Sequence, residues 1–530
     1  MARGDIDERY MIRLGSGQRE LKSNSTHDFT KQGRVAYSLS RRGILLEMVQ
    51  QLSESLGLSG RAERGMDGAP AYTCETADIF YRHHIQKRLY KFEKEIMLLY
   101  PGKVVDDDAD ASKLFPFSTY FKVEDGTLTY SEAEAYIRQI SEIVQELAEF
   151  RPLEILRSQR QRSDYLIMKQ ARIVAMTCTH AAIARSHLLE LGFEYDNVVV
   201  EEAGQMLEIE TFVPLLLQRG DASSSNDSNS ISRLKRCCII GDHHQLPPVI
   251  QNIAFAKYSS FDQSLLARLI RFGVPYIQLD QQGRCRPEIA SLFNWRYKKL
   301  GNLDQVVTSS EYLTANAGLQ HTVQIINVDD FEGKGETAPT PYFYQNVGEA
   351  EYVVAVFQYL VLIGHKPESI SILTTYNGQK ALIDDILKIR CGNGTPLVGV
   401  RPLAVSTVDQ YQGQQNDIIL LSLVRTGPTV GHIRDIRRLI VAVSRARFGL
   451  YVFCRLNVFR DVDDIQRVMD LISQHRNGST KLQLIVGEQH PTTRQVSDPV
   501  TDHQVYEVDD VVHMGAIVHQ MQETMVQDVS

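Results

Sequence analysis

The sequence predicts an α/β protein with two doubly wound parallel-sheet domains and a helical insertion in the first of them. Three observations support this prediction. Short β-branched runs alternate with longer helical runs over most of the 530 residues. That length exceeds what one ordinary core fills, so two or more domains are expected. One region, 75–168, breaks the alternation with long polar helical runs such as "EAEAYIRQISEIVQELAEF".

The candidate strands share a short apolar run that is mostly rich in Val, Ile or Leu. They are "ARIVAMTC", "NVVVEE", "KRCCIIGD", "PYIQLD", "VQIINVDD", "SISILTT", "LAVSTVD", "DIILLSLV" and "GLYVFC". Helical patterns such as "GEAEYVVAVFQYLVLIG" and "NGQKALIDDILKI" lie between several of them. Strands that alternate with helices in this way form parallel sheets with helices on both faces.

The chain is expected to divide at changes in composition and periodicity. The predicted segments are 1–74 and 169–272 for the first sheet domain, 75–168 for the insertion, 273–487 for the second sheet domain, and 488–530 for an acidic, mostly disordered tail. The stretch "DASSSNDSNS" at 221–230 has no residues with which to build a core, so we predict a flexible loop there.

Composition indicates a globular protein, with 43% hydrophobic and 23% charged residues. The net charge of -8 does not favour a nucleic-acid partner, but a net value says nothing about local patches. The seven cysteines are scattered and never spaced as CxxC, which argues against a disulfide framework and against a structural zinc site. We expect reduced thiols in the core.

No segment of the sequence predicts a membrane or secretory role. The amino-terminal "MARGDIDERY" lacks the apolar core of a secretory signal. The longest apolar run, 352–363, is too short to span a bilayer and is predicted to be a buried helix. These features predict an intracellular protein with no membrane partner.

Two predicted strands end in polar side chains. In "VVVEEAGQ" the strand is followed by Glu201 and Glu202, and in "IIGDHHQLPP" it is followed by Asp242 and Gln245. Each alone is consistent with the solvated end of a buried strand. Together they favour a ligand site, because the carboxyl ends of parallel strands meet at one sheet edge. Carboxylates there could hold Mg²⁺ and an attacking water.

The two motifs together resemble those of superfamily 1 helicases, and later segments resemble further motifs of that family in its order. These segments are "LDQQGRCRPEIA" at 279–290, "LTTYNGQK" at 373–380, "VSTVDQYQGQQNDIILLS" at 405–422 and "RRLIVAVSRARFGLYVF" at 437–453. The resemblance implies two RecA-like domains that use ATP and Mg²⁺.

The resemblance also implies roles in phosphoryl transfer. Glu201 and Asp242 would hold Mg²⁺, Glu202 would activate water, and Gln245 would sense the γ-phosphate. Two arginines, Arg284 and Arg445, would stabilise the transferring charge. Arginine suits this task because its planar fork is always charged and binds phosphate oxygens in pairs. An exposed arginine on a helix is the alternative for either position taken alone.

Further positions are implied as nucleotide contacts. Tyr376 would stack on adenine, with Gln379 in the same segment, while Gln412, Gly413 and Gln415 would link the nucleotide to nucleic acid.

The implied RNA contacts are Thr179 and His180 in "TCTHAA", and Thr407 and Asp409 in "STVDQ". Short polar side chains at such turns grip the sugar-phosphate backbone without reading sequence. Ordinary turn capping is the alternative for each of them.

Stretches outside the motifs resemble one intron-binding, spliceosomal branch of the family. They are "DIDERYMIRLG", "YTCETA", "EIETFVPLLLQ", "NWRYKKLGNL", "TANAGL" and "PYFYQNVGEAEYVV". This resemblance implies an RNA helicase-type ATPase that acts in pre-mRNA splicing in the nucleus. Its expected partners are single-stranded intron or pre-mRNA and spliceosomal proteins.

The sequence also departs from the family pattern. No G-x-x-x-x-G-K-[ST] motif, which cradles the phosphates, occurs in it. We therefore expect a fragment that begins after this motif and hydrolyses ATP poorly by itself. Glu201 replaces the usual aspartate, and Gln415 replaces the usual glutamate. A non-catalytic scaffold that docks splicing proteins is the main alternative, and the motifs alone also fit a DNA helicase.

Overall fold

The computed structural model describes two compact units. Its described residues are 6–15, 28–58, 72–99, 107–123, 128–217, 233–250, 252, 254, 258–259, 261–474 and 479–529. One unit comprises 1–198 and 209–237, and the other comprises 199–208 and 238–530. The Ser-rich loop predicted at 221–230 lies outside the described residues.

The first unit contains a cluster of helices around an aromatic and aliphatic core. Its helices are α1 (Lys31–Ser55), α2 (Cys74–Phe80), α3 (Gln86–Leu99), α4 (Ser118–Phe121), α5 (Tyr130–Ile155) and α6 (Gln159–Tyr165). A π-helical turn, Tyr81–Ile85, joins α2 directly to α3. The long α5 begins at a capping box in which Thr129 and Glu132 bond reciprocally to backbone N–H groups.

The helical cluster is larger than the predicted insertion at 75–168. Val35, Leu45 and Val49 of α1 are buried in the same core as α2, α3 and α5. The helical part therefore begins at Lys31 rather than at 75.

Two short strand pairs are formed by segments that come before and after the helical cluster in the sequence. Strand β1 (Met11–Arg13) pairs with β2 (Ile173–Ala175), which is followed by α7 (Cys178–Glu190). Strand β3 (Asn197–Val200) pairs with β4 (Arg236–Ile239), and α8 (Glu208–Leu215) lies between them in sequence. The boundary between the two units passes through both β3 and β4.

The second unit continues the alternation of strands and helices. Its strands are β5 (Gln281–Gln282), β6 (Gly301–Asn302), β7 (Val323–Asn327), β8 (Glu336–Thr337), β9 (Gln345–Asn346), β10 (Ile370–Thr374), β11 (Ala404–Thr407), β12 (Asn416–Ser422), β13 (Ala446–Cys454), β14 (Leu482–Ile485) and β15 (Val505–Val508). Its helices are α9 (Leu265–Arg271), α10 (Pro287–Ala290), α11 (Asp304–Thr308), α12 (Ser310–Leu313), α13 (Val347–Leu362), α14 (Asn377–Arg390), α15 (Ile436–Val443), α16 (Leu456–Arg460), α17 (Asp463–Gln474) and α18 (Val511–Val529).

A parallel sheet organises this unit. Five strands lie in the order β11-β10-β12-β13-β7, and every neighbouring pair is parallel. Helices α13, α14 and α18 pack on one face, and α10, α15 and α17 pack on the other. The apolar run predicted to be a buried helix is α13, whose residues 352–360 are all buried. The predicted α/β fold with a parallel sheet is confirmed.

One predicted strand is almost absent. The run "PYIQLD" at 275–280 has no regular structure, and only the next two residues form β5. Ile277 is 94% exposed and Leu279 is 82% exposed. An apolar run becomes a strand only when a neighbouring strand satisfies its backbone and covers its side chains, and the described residues supply neither to 275–279.

The carboxyl-terminal residues differ from the disordered tail expected at 488–530. Strand β15 pairs antiparallel with β14, and α18 packs on α13. Met514 and Val518 of α18 are buried, at positions that recur with helical spacing. The expectation failed because an acidic composition does not exclude a helix, and α18 needs only its recurring apolar positions to pack.

The cysteines only partly follow the expectation of core thiols. Cys285 and Cys454 are among the buried ones, and burial raises the pKa of the Cys285 thiol to about 12. Cys237 and Cys238 on β4 are exposed instead. Separately, no helix among the described residues is long and apolar enough to cross a membrane.

A buried histidine closes the turn after α13. The Nε2 of His365 lies 3.1 Å from the carbonyl oxygen of Ala317, and its ring stacks on His490 at 4.3 Å between centroids. Burial lowers the pKa of His365 to about 4. The neutral form therefore fits the folded protein.

We predict that His365 makes the second unit less stable in mild acid. The pKa in the folded state is below the unfolded value, so protonation favours unfolding. The contribution is complete above about pH 6.5 and is lost as pH falls towards 4, which costs about 2 kcal/mol at pH 5. Thermal unfolding followed by the fluorescence of the single tryptophan, Trp295, at pH 7.5 and pH 5 measures this loss.

His365→Gln should show a smaller drop in stability between the two pH values than the native chain, and the exposed control His519→Gln should match the native chain. Equal drops in all three would contradict the assignment.

Candidate functional site

Two turns of the second unit meet through their backbones. The turn after β3 contains Ala203 and Gly204, and the turn after β4 contains Gly241 and Asp242. The N–H of Ala203 donates to the carbonyl oxygen of Ile240 at 2.9 Å. A Cβ on Gly204 would lie 2.8 Å from the carbonyl oxygen of Asp242, and one on Gly241 would lie 2.8 Å from the nitrogen of Gly204. Only glycine allows this approach at both positions.

Glu202 is the centre of one group of contacts. Its backbone is left-handed, with φ of 53°, which is uncommon for a residue other than glycine. Its carboxylate accepts hydrogen bonds from Nε2 of Gln205 at 2.8 Å and from Nε2 of Gln412 at 3.4 Å. Gly413 is adjacent, since a Cβ there would lie 4.0 Å from Oε1 of Glu202. The structure thus brings together three of the predicted residues, Glu202, Gln412 and Gly413.

A second group links the other predicted residues in a chain. Nε2 of Gln245 donates to Oδ2 of Asp242 at 2.9 Å, and Nη2 of Arg445 donates to Oε1 of Gln245 at 3.4 Å. Oδ1 of Asp242 accepts from the backbone N–H of His244 at 2.8 Å. Asp242 therefore orients Gln245, which in turn contacts Arg445.

Arg445 is almost completely buried, at 2% exposure. Its Nε donates to the carbonyl oxygen of Val441 at 3.0 Å, and its Nη2 also donates to Oγ of Ser444 at 2.9 Å. Burial lowers the pKa of Arg445 to about 10, and the nearby charge of Arg284 acts in the same direction. The guanidinium still carries its charge at neutral pH.

Arg284 lies close to this group. Its Nε donates to Oε1 of Gln415 at 2.6 Å, and its Nη1 donates to the carbonyl oxygen of Ser444 at 3.3 Å. The side chain of Gln415, which was predicted to link nucleotide to nucleic acid, therefore accepts a hydrogen bond from Arg284 in this structure. Both arginines donate to Ser444, Arg284 to its carbonyl oxygen and Arg445 to its hydroxyl.

Sequence reasoning missed Tyr297. Its hydroxyl donates to Oδ2 of Asp242 at 2.5 Å, and its ring lies edge-on to His244 at 5.1 Å between centroids. Burial raises the pKa of the Tyr297 hydroxyl, and the negative charge of Asp242 raises it further. No spacing signal connects "NWRYKK" to "GDHHQ", because fifty-five residues separate the two partners.

Glu201 is exposed and points to no described partner. Among the described residues, no Lys, Arg or His side chain forms an ion pair with Glu201 or Glu202. Amide groups alone neutralise none of the negative charge of Glu202. The described residues also contain no group of three or more His, Cys, Asp or Glu side chains that could hold a metal ion.

Tyr376 and Gln379 lie apart from this cluster, inside the protein. Gln379 is fully buried. Its Oε1 accepts from the backbone N–H of Asn346 at 2.7 Å, and its Nε2 donates to the carbonyl oxygen of Asn346 at 3.0 Å and to Oγ of Ser422 at 3.1 Å. Tyr376 is only 4% exposed, and its hydroxyl accepts from the backbone N–H of His432 at 3.2 Å. Stacking of adenine on Tyr376 stays a prediction that requires the ring to be uncovered.

The RNA positions predicted in the second unit have protein partners. Oγ1 of Thr407 accepts from the backbone N–H of Gln410 at 3.4 Å, as the capping alternative expects. Asp409 accepts three hydrogen bonds from Nε and Nη2 of Arg438, at 2.8, 3.0 and 3.2 Å.

The RNA positions predicted in the first unit lie at the start of α7. Oγ1 of Thr177, not of Thr179, caps this helix by accepting from the N–H of His180 at 3.1 Å. The His180 ring packs beside Gly15, and burial lowers its pKa, as does the charge of Lys31.

The chain is similar to several known proteins. Two family models, each described as an AAA domain, match residues 2–252 and 261–457. The chain is 48% identical over 533 residues to "RNA helicase aquarius" of Mus musculus, covering 99% of this chain and 34% of that protein. It is 28% identical over 502 residues to "Pre-mRNA-splicing factor cwf11" of Schizosaccharomyces pombe, covering 91% and 36%. "The structure of PRRSV helicase" aligns with 66% of this chain and 53% of its own at 13% identity, with a TM-score of 0.27.

The two AAA-domain matches, together with the ordered motifs, show that the chain belongs to the superfamily 1 helicases. Within that family this chain is similar to RNA helicase aquarius of mouse over 99% of its own residues. The chain spans about a third of the length of the curated relatives it matches.

We predict that Gly204→Ala and Gly241→Ala each destabilise the second unit by about 1–3 kcal/mol, because the added methyl meets backbone atoms that cannot move independently. The thermal midpoint reported by Trp295 fluorescence measures the loss. Gly43→Ala in α1 is the matched control, since a Cβ there meets no atom within 4 Å and alanine favours a helix. A Gly204→Ala midpoint equal to that of the native chain would show that the two turns are not tightly packed.

Proposed function

We propose that this chain is the motor portion of an ATP-dependent RNA helicase that acts in pre-mRNA splicing. The observation that carries the proposal is the joining of Glu202 to Gln412 and of Asp242 through Gln245 to Arg445. These are the residue types that phosphoryl transfer requires, namely an acceptor for a proton, an amide and a permanent positive charge.

The relatives support the choice of RNA and splicing. The mouse relative is named an RNA helicase, and the fission yeast relative is named a pre-mRNA-splicing factor. We therefore propose single-stranded intron or pre-mRNA as the substrate, spliceosomal proteins as partners and the nucleus as the location. The share of identity favours this branch over a DNA helicase.

The donor set fits a magnesium ion that is bound together with a nucleotide. Mg²⁺ prefers oxygen ligands and is usually held by one or two carboxylates plus phosphate oxygens. Glu201 and Glu202 are exposed carboxylates without a cationic partner among the described residues, and Oε1 of Gln412 beside them is buried without a hydrogen-bond partner there. We propose that Glu201 and Asp242 hold Mg²⁺, which would neutralise charge on the transferring phosphoryl group.

The geometry suggests how the side chains act. Two amides fix the carboxylate of Glu202 as an acceptor, so it can take a proton from an attacking water. Gln245 is aimed by Asp242 and Tyr297 on one side and by Arg445 on the other. Arg445 and Arg284 supply positive charge without needing to be ordered at the moment of reaction.

Hydrolysis by this chain alone should be weak. The sequence has no G-x-x-x-x-G-K-[ST] motif, so backbone amides and a lysine for the β- and γ-phosphates are not supplied by it. The same observation, with Glu201 in place of an aspartate, favours a second candidate function. In that case the chain is a non-catalytic scaffold that docks splicing proteins.

A chimera tests the motor proposal. Residues of mouse RNA helicase aquarius that precede the matched region would be joined to this chain, and ATP hydrolysis would be measured with and without single-stranded RNA. We expect RNA-stimulated hydrolysis, and Glu202→Gln should lower kcat by about 10²–10⁴-fold because it removes the proton acceptor. The KM for ATP should change little.

Glu368→Gln is the matched control, since Glu368 is an exposed glutamate whose side chain lies outside the cluster. It should leave kcat unchanged. A chimera that binds ATP but hydrolyses none with RNA, or one in which Glu202→Gln and Glu368→Gln behave alike, would overturn the motor proposal in favour of the scaffold.

A further inference from the structure

A basic face is displayed by the helix formed by α2, the π-helical turn and α3. Segment 81–94 contains five Lys or Arg residues and two His residues against a single acid, Glu93, although the whole chain has a net charge of -8. We call the exposed residues on one side of it the basic stripe. They are His83, Lys87, Tyr90, Lys91 and Lys94.

The packing of the helix fixes the direction of the stripe. Ile85, Leu89, Phe92 and Ile96 are buried in the core of the helical cluster, at spacings of three to four residues. The opposite side must then face water. Positions 83, 87, 90 and 94 recur with the same spacing, so their side chains lie in a row about 5–6 Å apart.

The charges of the stripe are largely unneutralised. Lys91 lies 3.6 Å from Glu95, an exposed pair of small value. Among the described residues, no carboxylate lies within 4 Å of Lys87 or Lys94. The side chains of Lys87 and Lys94 are about two helical turns apart. Their positive charges are therefore available to attract an anionic partner.

An aromatic side chain lies between these cations. Tyr90 is 69% exposed, and no hydrogen bond or ring contact involves it among the described residues. Successive bases of a single strand stack on aromatic side chains that lie along a basic surface. A row of lysines around one exposed tyrosine has this arrangement.

We propose that the basic stripe binds single-stranded RNA, with Lys87 and Lys94 on phosphates and a base stacked on Tyr90. The proposal deepens the proposed function, on which it rests for the nature of the substrate. A membrane surface fits less well. The apolar residues of α3 are buried except near its end, whereas an interfacial helix needs a broad free apolar face.

The test uses the chain itself and does not depend on ATP hydrolysis. The probe is a fluorescein-labelled, unstructured single-stranded RNA of 20 nucleotides, and binding is followed by anisotropy between 50 and 200 mM salt. Lys87→Glu/Lys94→Glu should weaken binding at least 10-fold at the lower salt. It should also reduce the slope of log affinity against log salt by about 0.7 for each phosphate that the variant no longer binds.

Stacking is tested separately at Tyr90. Tyr90→Ala should weaken binding by about 5- to 150-fold, corresponding to 1–3 kcal/mol for one base, while Tyr90→Phe should bind like the native chain. The control is Tyr342→Ala, which removes a tyrosine that is 84% exposed in a loop of the second unit. It should have no effect.

A charge-matched control guards against a general electrostatic effect. Lys366→Glu/Lys388→Glu changes the net charge equally at two exposed lysines of the second unit.

The proposal is overturned if this control weakens binding as much as the stripe variant, if the stripe variant binds normally, or if Tyr90→Ala has no effect. It is also overturned if duplex RNA competes as well as the single strand, or if the stripe governs binding to anionic phosphatidylserine vesicles but not to RNA.

These outcomes are distinct from those of the motor proposal. Weaker RNA binding by the stripe variants together with an inactive chimera would support the stripe and overturn the motor. Normal RNA binding by the stripe variants with an active chimera would do the reverse.

Discussion

The candidate site depends on how closely the backbones of two turns approach each other. Gly204 and Gly241 remove the two Cβ atoms that would hold these turns apart, and the hydrogen bond from Ala203 to Ile240 then joins them. Because the carboxylates of Glu202 and Asp242 leave from the same two turns, their separation is fixed by backbone contact. Side chains that must act together are thus positioned by rigid groups rather than by their own long and flexible stems.

Around this contact the polar groups share partners instead of forming isolated pairs. Asp242 receives three donors, from His244, Gln245 and Tyr297, and Gln245 passes the orientation on to Arg445. A buried arginine without an acidic partner is costly, and most of its donors here are satisfied by neutral oxygens. Among the described residues, neither Arg445 nor Glu202 forms a direct ion pair, and their opposite charges act on each other only across a distance. Such an arrangement is poised for a ligand that carries both a cation and an anion.

The sequence predicted the fold well where the pattern was local. The parallel sheet of the second unit follows from β-branched runs such as "SISILTT" and "DIILLSLV", which are buried on both faces and therefore form continuous apolar strands. The "PYIQLD" run is less rich in β-branched residues and has no strand beside its residues 275–279 among those that the structure describes. Helix α18 was missed for a different reason, since its apolar side shows only in the one-turn spacing of the buried Met514 and Val518, within a segment whose overall composition is acidic. Composition reports average polarity, whereas a helix needs only one apolar side.

The site was predictable only as far as its motifs reach. Glu202, Gln245, Arg284 and Arg445 stand in recognisable segments, so their proximity could be expected. Tyr297 could not, because a single hydroxyl fifty-five residues away leaves no spacing signal. Likewise, the sequence does not reveal that Gln379 uses its whole amide inside the protein or that Tyr376 is covered. Those facts depend on packing by Asn346, Ser422 and His432, which lie far away along the chain.

The packing of α18 on α13 has a consequence for the order of folding. About 150 residues separate these two helices, yet Met514 and Val518 complete the same apolar layer as α13. During synthesis the side of α13 that α18 covers stays exposed until residue 518 has been made, so the second unit cannot finish folding stepwise from its amino-terminal end. Contacts so distant in sequence slow folding and leave apolar surface open to aggregation in the interval. A nascent chain of this protein is therefore expected to need a chaperone for longer than its regular sheet would suggest.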